Sequence, residues 1–390
     1  MTKLEQLIKE LCPDGVEYRK LSEILNIQRG IRVVKNQLKD TGKYPVYQNS
    51  LTPMGYHTDS NFPANSAFII GAGAAGEVGY SDVDFWAADD CFCIVCQDDY
   101  NSRFLFHYLL SQQDFLLSKV RKASIPRLSR TVIENLKIPF PPLQVQSEIV
   151  RILDNFAELT AELTAELTAE LTARKQQYDY YRNELLDIKD ADVPFKTLGE
   201  LSKFRRGSFP QPYGNAEWYD GEGAMPFVQV ADIGEDMRLV ADTKRKISTV
   251  AQPKSVFAPS GSIIISLQGS IGRIAVTQYD AYIDRTVAIF QDISKEILPK
   301  YFVYQLQRIF AIKEKTARGS TIKTITKEEF TSFSIAVPSI NEQERIVEVL
   351  DKFHALCHDI SDGLPAEIEG RRKQYEYYRD KLLTFKEKVN

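Results

Sequence analysis

No apolar run in this sequence approaches the ~18 residues that a membrane-spanning helix requires. The opening residues, Met1 to Gln6, are polar and lack the apolar segment of a secretory signal. Only five cysteines occur in 390 residues, which is too few for a disulfide framework and typical of a reduced compartment. We therefore expect a soluble, cytoplasmic protein without a membrane partner.

An excess of charge of one sign is also lacking. The 49 basic and 53 acidic residues give a net charge of −4, so any nucleic-acid surface must be local. The four histidines have no recognisable catalytic company, and no Walker A sequence, serine nucleophile elbow or zinc-hydrolase helix occurs. The tetrapeptide of amino-methyltransferases is missing too. We expect neither a catalytic residue nor a metal site, and hence a chain that is not itself an enzyme.

A tandem array is the most distinctive feature that is present. Four copies of Ala-Glu-Leu-Thr fill Ala157–Thr172, and the flanking sequences return later in the chain. Residues 149–156 are echoed by 346–353, and 178–182 by 375–379, at one offset (346 − 149 = 197; 375 − 178 = 197). The chain is therefore an internal duplication. Each added tetrapeptide lengthens a helix by about 6 Å and turns it by about 40°, so the array has the properties of a ruler.

Two long helices are predicted around these repeats. The stretch from Gln146 to Lys189 contains neither Gly nor Pro. Its apolar stripe, which turns slowly around the helix and needs a partner helix, consists of Leu159, Leu163, Leu167 and Leu171. The second helix is predicted to follow a capping box at Asn341 and Glu344, with an interruption near Gly363 and Pro365.

The stretches between the helices have a different composition. They are rich in Gly, Pro, Tyr and Phe and carry short β-branched or aromatic runs, which indicates mixed globular domains of the α+β class. Residues 28–30 and 205–207 correspond weakly between the two copies. The predicted division is 1–145 and 191–340 for two globular domains, with 146–190 and 341–390 for the two helices.

Two basic clusters recur at equivalent places. Six basic residues lie between Lys119 and Lys137 against one acid, and seven between Lys300 and Lys327 against one acid. A recurring cluster favours phosphate contact, although a single one is more often a solvated helix surface. The predicted DNA-binding residues are Arg29, Arg32, Lys43, Gln48, Asn49, Arg121, Lys122, Arg127, Arg130, Arg205, Arg206, Gln229, Arg273, Lys315, Arg318, Lys323 and Lys327. Among them, the glutamines, the asparagine and Arg273 are the candidates for contacts with base edges.

Two motifs suggest chemistry that their context does not support. Gly71–Gly76 matches G-x-G-x-x-G, which would make the chain a nicotinamide-dependent oxidoreductase. The residues that follow are β-branched and interrupted by Gly, so we predict a turn between strands. Cys91 to Cys96 alternates thiols with apolar residues, which predicts a strand with buried thiols in place of a metal site.

Several long strings carry a resemblance to a known family. They are residues 146–154, 160–171, 341–353 and 372–380. With them, the whole chain resembles the specificity (S) subunits of type I restriction-modification systems, in particular the EcoR124-like branch. The resemblance implies two target recognition domains, each reading one half of a split asymmetric DNA sequence, and an antiparallel coiled coil of two conserved helices about a pseudo-twofold axis.

The resemblance also implies partners. Such a subunit is not catalytic and docks two adenine methyltransferase subunits and, for restriction, two motor-nuclease subunits, which would bind S-adenosylmethionine, ATP and Mg. The gap between half-sites follows the number of tetrapeptides. Candidate docking residues, for which packing within the helical pair is the alternative, are Tyr181, Arg182, Tyr378 and Arg379 together with the four leucines. The other reading is a scaffold that pairs two protein-recognition modules through a coiled coil without binding DNA.

Overall fold

A computed structural model describes residues 2–316, 327–358 and 363–388 of the chain. These residues form two compact units. Unit 1 comprises Met1–Ala165 and Glu369–Asn390, and unit 2 comprises Glu166–Ile368. No helix within the described ranges is long and apolar enough to cross a membrane.

The first half of the chain forms a mixed set of helices and strands. In order, they are α1 (Lys3–Leu11), β1 (Tyr18–Lys20), α2 (Leu21–Ile24), β2 (Asn26–Arg29), β3 (Tyr44–Tyr47), β4 (Tyr56–His57), β5 (Ser66–Ile70), β6 (Val78–Ser81), β7 (Trp86–Ala87), β8 (Cys91–Val95), α3 (Ser102–Ser111), α4 (Gln113–Ser118), α5 (Arg130–Glu134), β9 (Lys137–Pro139) and α6 (Leu143–Leu186). An antiparallel sheet of order β2-β8-β5-β6 is central to unit 1. A second sheet, β4-β3-β7, pairs β3 and β7 in parallel, and β1 pairs with β9.

The central strand of unit 1 is buried on both faces. All five residues of β5 are buried because alternate side chains enter two different clusters. Ile69 belongs to the cluster that contains Phe104 and Leu105 of α3. Phe68 belongs to the other cluster and lies against Phe85, with ring centroids 5.5 Å apart. The apolar run in the sequence therefore becomes a strand covered from both sides.

The second half of the chain repeats this plan. In order, its elements are β10 (Phe195–Thr197), α7 (Leu198–Leu201), β11 (Lys203–Arg206), β12 (Met225–Val228), β13 (Arg245–Ile247), β14 (Val256–Ala258), β15 (Ile263–Ser266), β16 (Ile274–Val276), β17 (Ala281–Ile283), β18 (Val287–Gln291), α8 (Pro299–Thr316), α9 (Lys327–Thr331), β19 (Ser334–Ala336), α10 (Ile340–His358) and α11 (Leu364–Leu383). The four-stranded sheet of unit 2 has the order β11-β18-β15-β16, which corresponds strand by strand to the order β2-β8-β5-β6 in unit 1. The parallel pair also recurs, as β12 with β17. The predicted duplication and α+β class are confirmed.

Helix α6 carries the whole tetrapeptide array without a break. Its 44 residues correspond to a length of about 66 Å. Leu163, Leu167 and Leu171 are half-buried, and Leu171 packs against the core of unit 2. Leu159, in contrast, is 61% exposed, so the prediction of a covered stripe is wrong at this residue. The stripe turns by about 40° per repeat, which rotates Leu159 away from the direction of Leu171.

Each unit contains a pair of helices joined by aromatic contacts. In unit 1, Phe156 of α6 lies 5.7 Å from Tyr375 and 5.8 Å from Tyr378 of α11. In unit 2, the ring of Tyr181 stacks on Phe353 of α10 at 5.4 Å. Nearer the start of α6 in the same unit, Tyr178 meets His354, one residue further along α10, at 5.8 Å. Rising numbers on α6 therefore meet falling numbers on α10, which confirms the predicted antiparallel pairing in unit 2.

The start of α10 differs from its prediction. The helix begins at Ile340, and the Ser339 hydroxyl accepts a hydrogen bond from the Glu342 N–H at 3.4 Å. Ser339 is thus the N-cap, and the cap predicted at Asn341 was wrong by two residues, because the serine supplies the side-chain oxygen before the first turn. The described part of α10 ends at His358, and α11 begins at Leu364, in the region of the predicted interruption.

Equivalent aspartates attach each long helix to its globular part. In unit 1, Asp154 Oδ1 accepts hydrogen bonds from His107 Nε2 at 2.7 Å and Arg103 Nε at 3.0 Å. Burial lowers the pKa of His107, against the opposite effect of Asp154. In unit 2, Asp351 accepts from the Tyr304 hydroxyl at 2.6 Å. The two units therefore use a histidine and a tyrosine at one position (304 − 107 = 197).

Candidate nucleic-acid interface

One end of the four-stranded sheet in unit 1 gathers several loops. Strand β2 ends at Arg29, β5 ends at Ile70 and β8 begins at Cys91, and the antiparallel register brings these points together. The parallel strands β3 and β7 also end beside each other, at Tyr47 and Ala87. The loops that adjoin these strand ends are called the unit 1 loop end. It comprises residues 29–33, 48–50, 71–77 and 88–90, together with the segment 119–128, which is hydrogen-bonded to them.

Hydrogen bonds tie the first four of these loops together. Arg29 Nε donates to the Asp89 carbonyl at 2.6 Å. Gln48 Nε2 donates to the Asp90 carboxylate at 3.4 Å, and the Gly71 N–H donates to the Asp90 carbonyl at 2.6 Å. Two predicted DNA-binding residues from distant parts of the sequence, Arg29 and Gln48, therefore flank one pair of aspartates.

The basic segment 119–128 is bonded to the same loops. The Gly73 N–H donates to the Pro126 carbonyl at 3.2 Å. Arg121 and Arg127 exchange backbone hydrogen bonds of 2.8 and 3.2 Å, which close the segment into a loop whose residues 121–127 are all exposed. The predicted residues that the structure collects at the unit 1 loop end are Arg29, Arg32, Gln48, Asn49, Arg121, Lys122 and Arg127.

Unit 2 builds a corresponding end. Strand β11 ends at Arg206 and β15 ends at Ser266, and the parallel strands β12 and β17 end side by side. We call residues 206–208, 229–231, 267–273 and 284–286 the unit 2 loop end. The predicted residues in or next to it are Arg205, Arg206, Gln229 and Arg273. Arg273 Nη1 donates to the Ile233 carbonyl at 3.2 Å, so part of this guanidinium is occupied within the chain.

Backbone hydrogen bonds align the two loop ends residue by residue. The Leu267 N–H donates to the Thr286 carbonyl at 2.7 Å, as the Gly71 N–H does to the Asp90 carbonyl at 2.6 Å. Thr286 therefore occupies the place of Asp90. The backbone is shared between the units, whereas some of the side chains that it presents differ, as Asp90 and Thr286 do.

Two glycines make the close approach of these loops possible. A Cβ on Gly30 would lie 2.1 Å from the Ala88 carbonyl oxygen, and a Cβ on Gly207 would lie 2.3 Å from that of Asp284. No side chain fits at such distances, so glycine is required at both places. The weak sequence correspondence between 28–30 and 205–207 is thus a structural equivalence.

Some predicted residues lie elsewhere. Lys43 precedes β3 at the strand's other end, with its Nζ 4.8 Å from the ring centroid of Tyr44. Arg130 Nη2 donates to the Ile27 carbonyl at 3.1 Å and its Nε donates to Glu134 at 2.8 Å, so this arginine fastens α5 to β2. Arg318 and Lys323 lie outside the described residues, as do the side chains of Lys315 and Lys327.

The candidate docking tyrosines occupy matching positions in the two units. Tyr181 contacts Phe353 and Tyr378 contacts Phe156, yet the two tyrosines remain 39% and 42% exposed. The preceding residue in each case is another tyrosine that is exposed by more than half, and each pair is packed edge to face. The rings therefore both pack within a helical pair and present a surface.

The candidate docking arginines are bound within their own helices. Arg182 is 7% exposed, pairs with Asp179 at 2.8 Å and lies 5.3 Å over the ring of Tyr178. Arg379 pairs with Asp380 at 2.8 Å. These contacts orient the guanidinium groups and leave little of Arg182 for a partner.

Comparison with known proteins identifies the family. The chain matches the type I restriction modification DNA specificity domain twice, over residues 13–173 and 191–370. It belongs to this family. The two matches correspond to the two copies of the internal duplication, and the resemblance predicted from the repeat strings is confirmed.

Individual relatives cover the chain almost completely. It is 34% identical over 410 residues to the type I restriction enzyme EcoR124I/EcoR124II specificity subunit of Escherichia coli, covering 99% of this chain and 98% of that protein. It is 33% identical over 399 residues to a putative type I restriction enzyme specificity subunit of Haemophilus influenzae, covering 98% of each. These matches favour the specificity-subunit reading over a scaffold that binds no DNA.

A solved structure has the same fold. A chain from a study of complex assembly and conformational transition of the type I R-M system superposes with a TM-score of 0.66 at 20% identity. The superposition covers 95% of this chain and 97% of that chain. The fold is therefore shared with that chain along nearly the full length.

Sequence reasoning missed two positions at the loop ends of this specificity subunit, of which one is half-buried and one is exposed. Asp89 and Arg285 each lie one residue before the aligned carbonyls of the two loop ends. No local motif marks either residue, because both reach a loop end only through the pairing of strands that are distant in sequence.

The glycine motif and the cysteine run form turn and strand structure in this specificity subunit. Gly71–Gly76 forms the turn between the antiparallel strands β5 and β6, as predicted. Cys91 belongs to strand β8, as predicted, and its thiol contacts the Tyr47 and Gln48 carbonyls at 3.4 and 3.2 Å. Burial raises the pKa of Cys91 and of Cys96 to about 12. These thiols therefore stay protonated at neutral pH.

Proposed function

We propose that this chain is the non-catalytic subunit that reads both halves of a split DNA target, one half at each loop end. The observation that carries the proposal is that one loop end is built twice on the same backbone, with different side chains at several equivalent positions, such as Asp89 and Arg285. A shared backbone suits a common way of meeting the duplex, and different side chains suit different base sequences. Membership of the type I DNA specificity family supports the same conclusion.

The composition of the loop ends fits DNA chemically. Arg121, Lys122 and Arg127 are exposed on one loop, where they can neutralise phosphates and supply salt-dependent affinity. Gln48 and Gln229 follow the parallel strands at equivalent places, and a glutamine amide matches the edge of adenine in the major groove. Positive charge is thus local, in a chain whose net charge is negative.

The repeated helices support a symmetrical set of partners. Tyr180 with Tyr181, and Tyr377 with Tyr378, present two copies of one partly exposed aromatic pair. Two equal surfaces suit two copies of one partner, which we propose to be adenine methyltransferase subunits, with two motor-nuclease subunits joining for restriction. S-adenosylmethionine, ATP and Mg would then be bound by those partners.

The array in α6 suits a role in setting the gap between half-sites. The helix passes through all four tetrapeptides without interruption, so a change in their number changes its length by about 6 Å per unit. One or two base-pair steps of about 3.4 Å span that distance. The number of repeats would therefore set the number of unread base pairs.

Mapping of adenine methylation tests this function. The chain is co-expressed with the methyltransferase subunit of its own system in a host that lacks methylation of its own, and modified adenines are located by single-molecule sequencing. We expect a split, asymmetric motif that disappears when this chain is omitted. A stable complex that methylates no motif would contradict the proposal and favour the protein scaffold.

A single substitution in unit 1 sharpens the test. Gln48→Ala should change the preferred bases in one half of the motif and leave the other half intact. The matched control is Gln144→Ala, an exposed glutamine on α6 outside the loop ends. Loss of both halves together after Gln48→Ala would argue against one half-site per loop end.

A further inference from the structure

Arg285 stands in a tightly held turn of the unit 2 loop end. The turn joins β17 to β18, and the Asp284 N–H before it donates to the Val228 carbonyl at 3.0 Å. The buried Asp284 carboxylate accepts from the Thr286 hydroxyl at 2.6 Å and also from the Tyr213 hydroxyl. The backbone on both sides of Arg285 is therefore fixed, and its side chain leaves from a rigid base.

The guanidinium of Arg285 is oriented by an aromatic ring and is not occupied by an ion pair with the described residues. It lies 5.0 Å from the centroid of the Tyr213 ring, which itself packs 4.8 Å from Phe209. Arg285 is exposed, and it forms no ion pair with any of the described residues. A cation held over an aromatic ring keeps its planar edge available for hydrogen bonds and loses less conformational entropy on binding.

The corresponding place in unit 1 has the opposite charge. Because the Asp90 and Thr286 carbonyls are equivalent, Asp89 of unit 1 occupies the backbone position that Arg285 has in unit 2. The Asp89 carbonyl is bonded by Arg29, whereas no equivalent hydrogen bond from Arg206 to Arg285 is observed among the described residues. A carboxylate and a guanidinium at one backbone position select different base edges.

We propose that Arg285 reads a guanine in the half-site bound by unit 2. The inference rests on the proposed function, because it assigns one base contact within it. The paired N–H groups of a guanidinium match O6 and N7 of guanine in the major groove. The rigid backbone, the aromatic support and the lack of ion pairs with the described residues suit a contact of fixed geometry, as a contact that specifies a base requires.

Two variants in the complete methyltransferase complex test this contact. Arg285→Ala removes the paired N–H groups of the guanidinium, and Arg285→Gln replaces them with an amide that favours adenine. Methylation is mapped as for the wild-type complex. We expect Arg285→Ala to relax one G·C position in one half-site, with discrimination at that position reduced by about tenfold or more. Arg285→Gln should relax the same position or shift it towards A·T.

Arg238→Ala is the matched control. Arg238 is an exposed arginine of unit 2 that lies away from the loop end. The carbonyl of its neighbour Met237 accepts a hydrogen bond from the Val276 N–H at 3.0 Å, and Val276 ends β16 at the end of the sheet opposite to the loop end. The motif should be unchanged in this variant. If either Arg285 variant assembles poorly, the other one carries the test.

The outcomes separate the inference from the proposed function. An unchanged motif in the Arg285 variants would overturn the guanine contact. A uniform loss of methylation at every site, with the same motif, would also overturn it and assign Arg285 to a phosphate. Failure of the wild-type complex to produce any split motif would instead contradict the function itself.

Discussion

Gln146 and Gln343 make the same three hydrogen bonds in the two units, 197 residues apart (343 − 146 = 197). In unit 1, the side-chain oxygen of Gln146 accepts from the Asn101 N–H at 2.7 Å. Its amide nitrogen donates to the Pro141 carbonyl at 2.7 Å and the Asp99 carbonyl at 3.5 Å. One buried side chain thus satisfies backbone groups from two loops where α6 begins.

Gln343 has the equivalent partners at the start of α10. It accepts from the Leu298 N–H at 2.8 Å and donates to the Pro338 and Glu296 carbonyls at 2.9 and 2.8 Å. Each partner is offset by 197 residues from its counterpart (298 − 101 = 197). The attachment of a long helix to its globular part is therefore identical in both units, while the loop ends differ.

Removal of either glutamine should destabilise its own unit by a similar amount. Gln146→Leu leaves one N–H and two carbonyls without this partner, so we expect the free energy of unfolding to fall by about 2–4 kcal/mol. Gln343→Leu should cost the same. Gln144→Leu, on an exposed face of α6, should change stability by less than about 0.5 kcal/mol. Denaturant unfolding monitored by circular dichroism gives the comparison, and equal stability of all three variants would contradict the shared attachment.

Gly207→Ala should disrupt the unit 2 loop end. The new methyl group would lie 2.3 Å from the Asp284 carbonyl oxygen, so the turn that carries Arg285 must move. We expect a loss of about 1–3 kcal/mol in stability and weaker reading of one half-site. Gly214→Ala is the control, because no atom lies within 4 Å of its Cβ. Thermal unfolding and methylation mapping would detect the difference, and identical behaviour of the two variants would refute it.

The stability of unit 1 should depend on pH through His107. Burial lowers the pKa of His107, so the folded state favours the neutral ring. The unfolded chain binds the proton first, near its usual pKa of about 6.5, and stability therefore falls as the pH is lowered from 7.5 to 5.5. His107→Tyr copies the Tyr304 of unit 2, and a phenol does not titrate in this range. Free energies of unfolding at the two pH values should differ less in the variant; an unchanged difference would exclude His107 as the cause.

Charge reversal on the basic loop of unit 1 should weaken DNA binding through electrostatics. Arg121→Glu combined with Arg127→Glu removes two exposed cations, so we expect lower affinity and a salt slope reduced by about one for each phosphate that is no longer neutralised. Arg19→Glu with Lys20→Glu makes the same charge change on β1, away from the loop end. Fluorescence anisotropy of the assembled complex at several salt concentrations measures both slopes. Equal reductions in the two double variants would indicate a general charge effect.

Deletion of one tetrapeptide should change only the gap in the target. Removing Thr164 to Leu167 shortens α6 by about 6 Å, so the two half-sites should stay the same while one or two unread base pairs disappear. Leu159→Gln, at an exposed position of the array, keeps the length and should keep the gap. Methylation mapping reads both outcomes. An unchanged gap after the deletion would mean that the array is a mere connector.

The sequence alone carried the local features of this specificity subunit. Repeated strings revealed the duplication, the absence of Gly and Pro between Gln146 and Lys189 predicted α6, and β-branched residues after Gly71–Gly76 predicted a turn between strands. These succeed because propensity and periodicity act over a few neighbouring residues. The cap of α10 was misplaced by two residues, since both Ser339 and Asn341 suit an N-cap and only the backbone decides between them.

Only the tertiary structure decided which residues share a surface. Arg29 and Gln48 lie at one loop end because antiparallel and parallel strands end there, and a backbone hydrogen bond from Gly73 attaches the loop of Arg121 to the same end. Lys43 is separated from them by the length of β3. Arg285 and Asp89 became comparable only once hydrogen bonds aligned the two loop ends. Strand pairing depends on contacts between residues far apart in the chain, for which no local pattern is a sufficient signal. Sequence thus determined the repeated frame, and long-range pairing determined the surfaces that the frame presents.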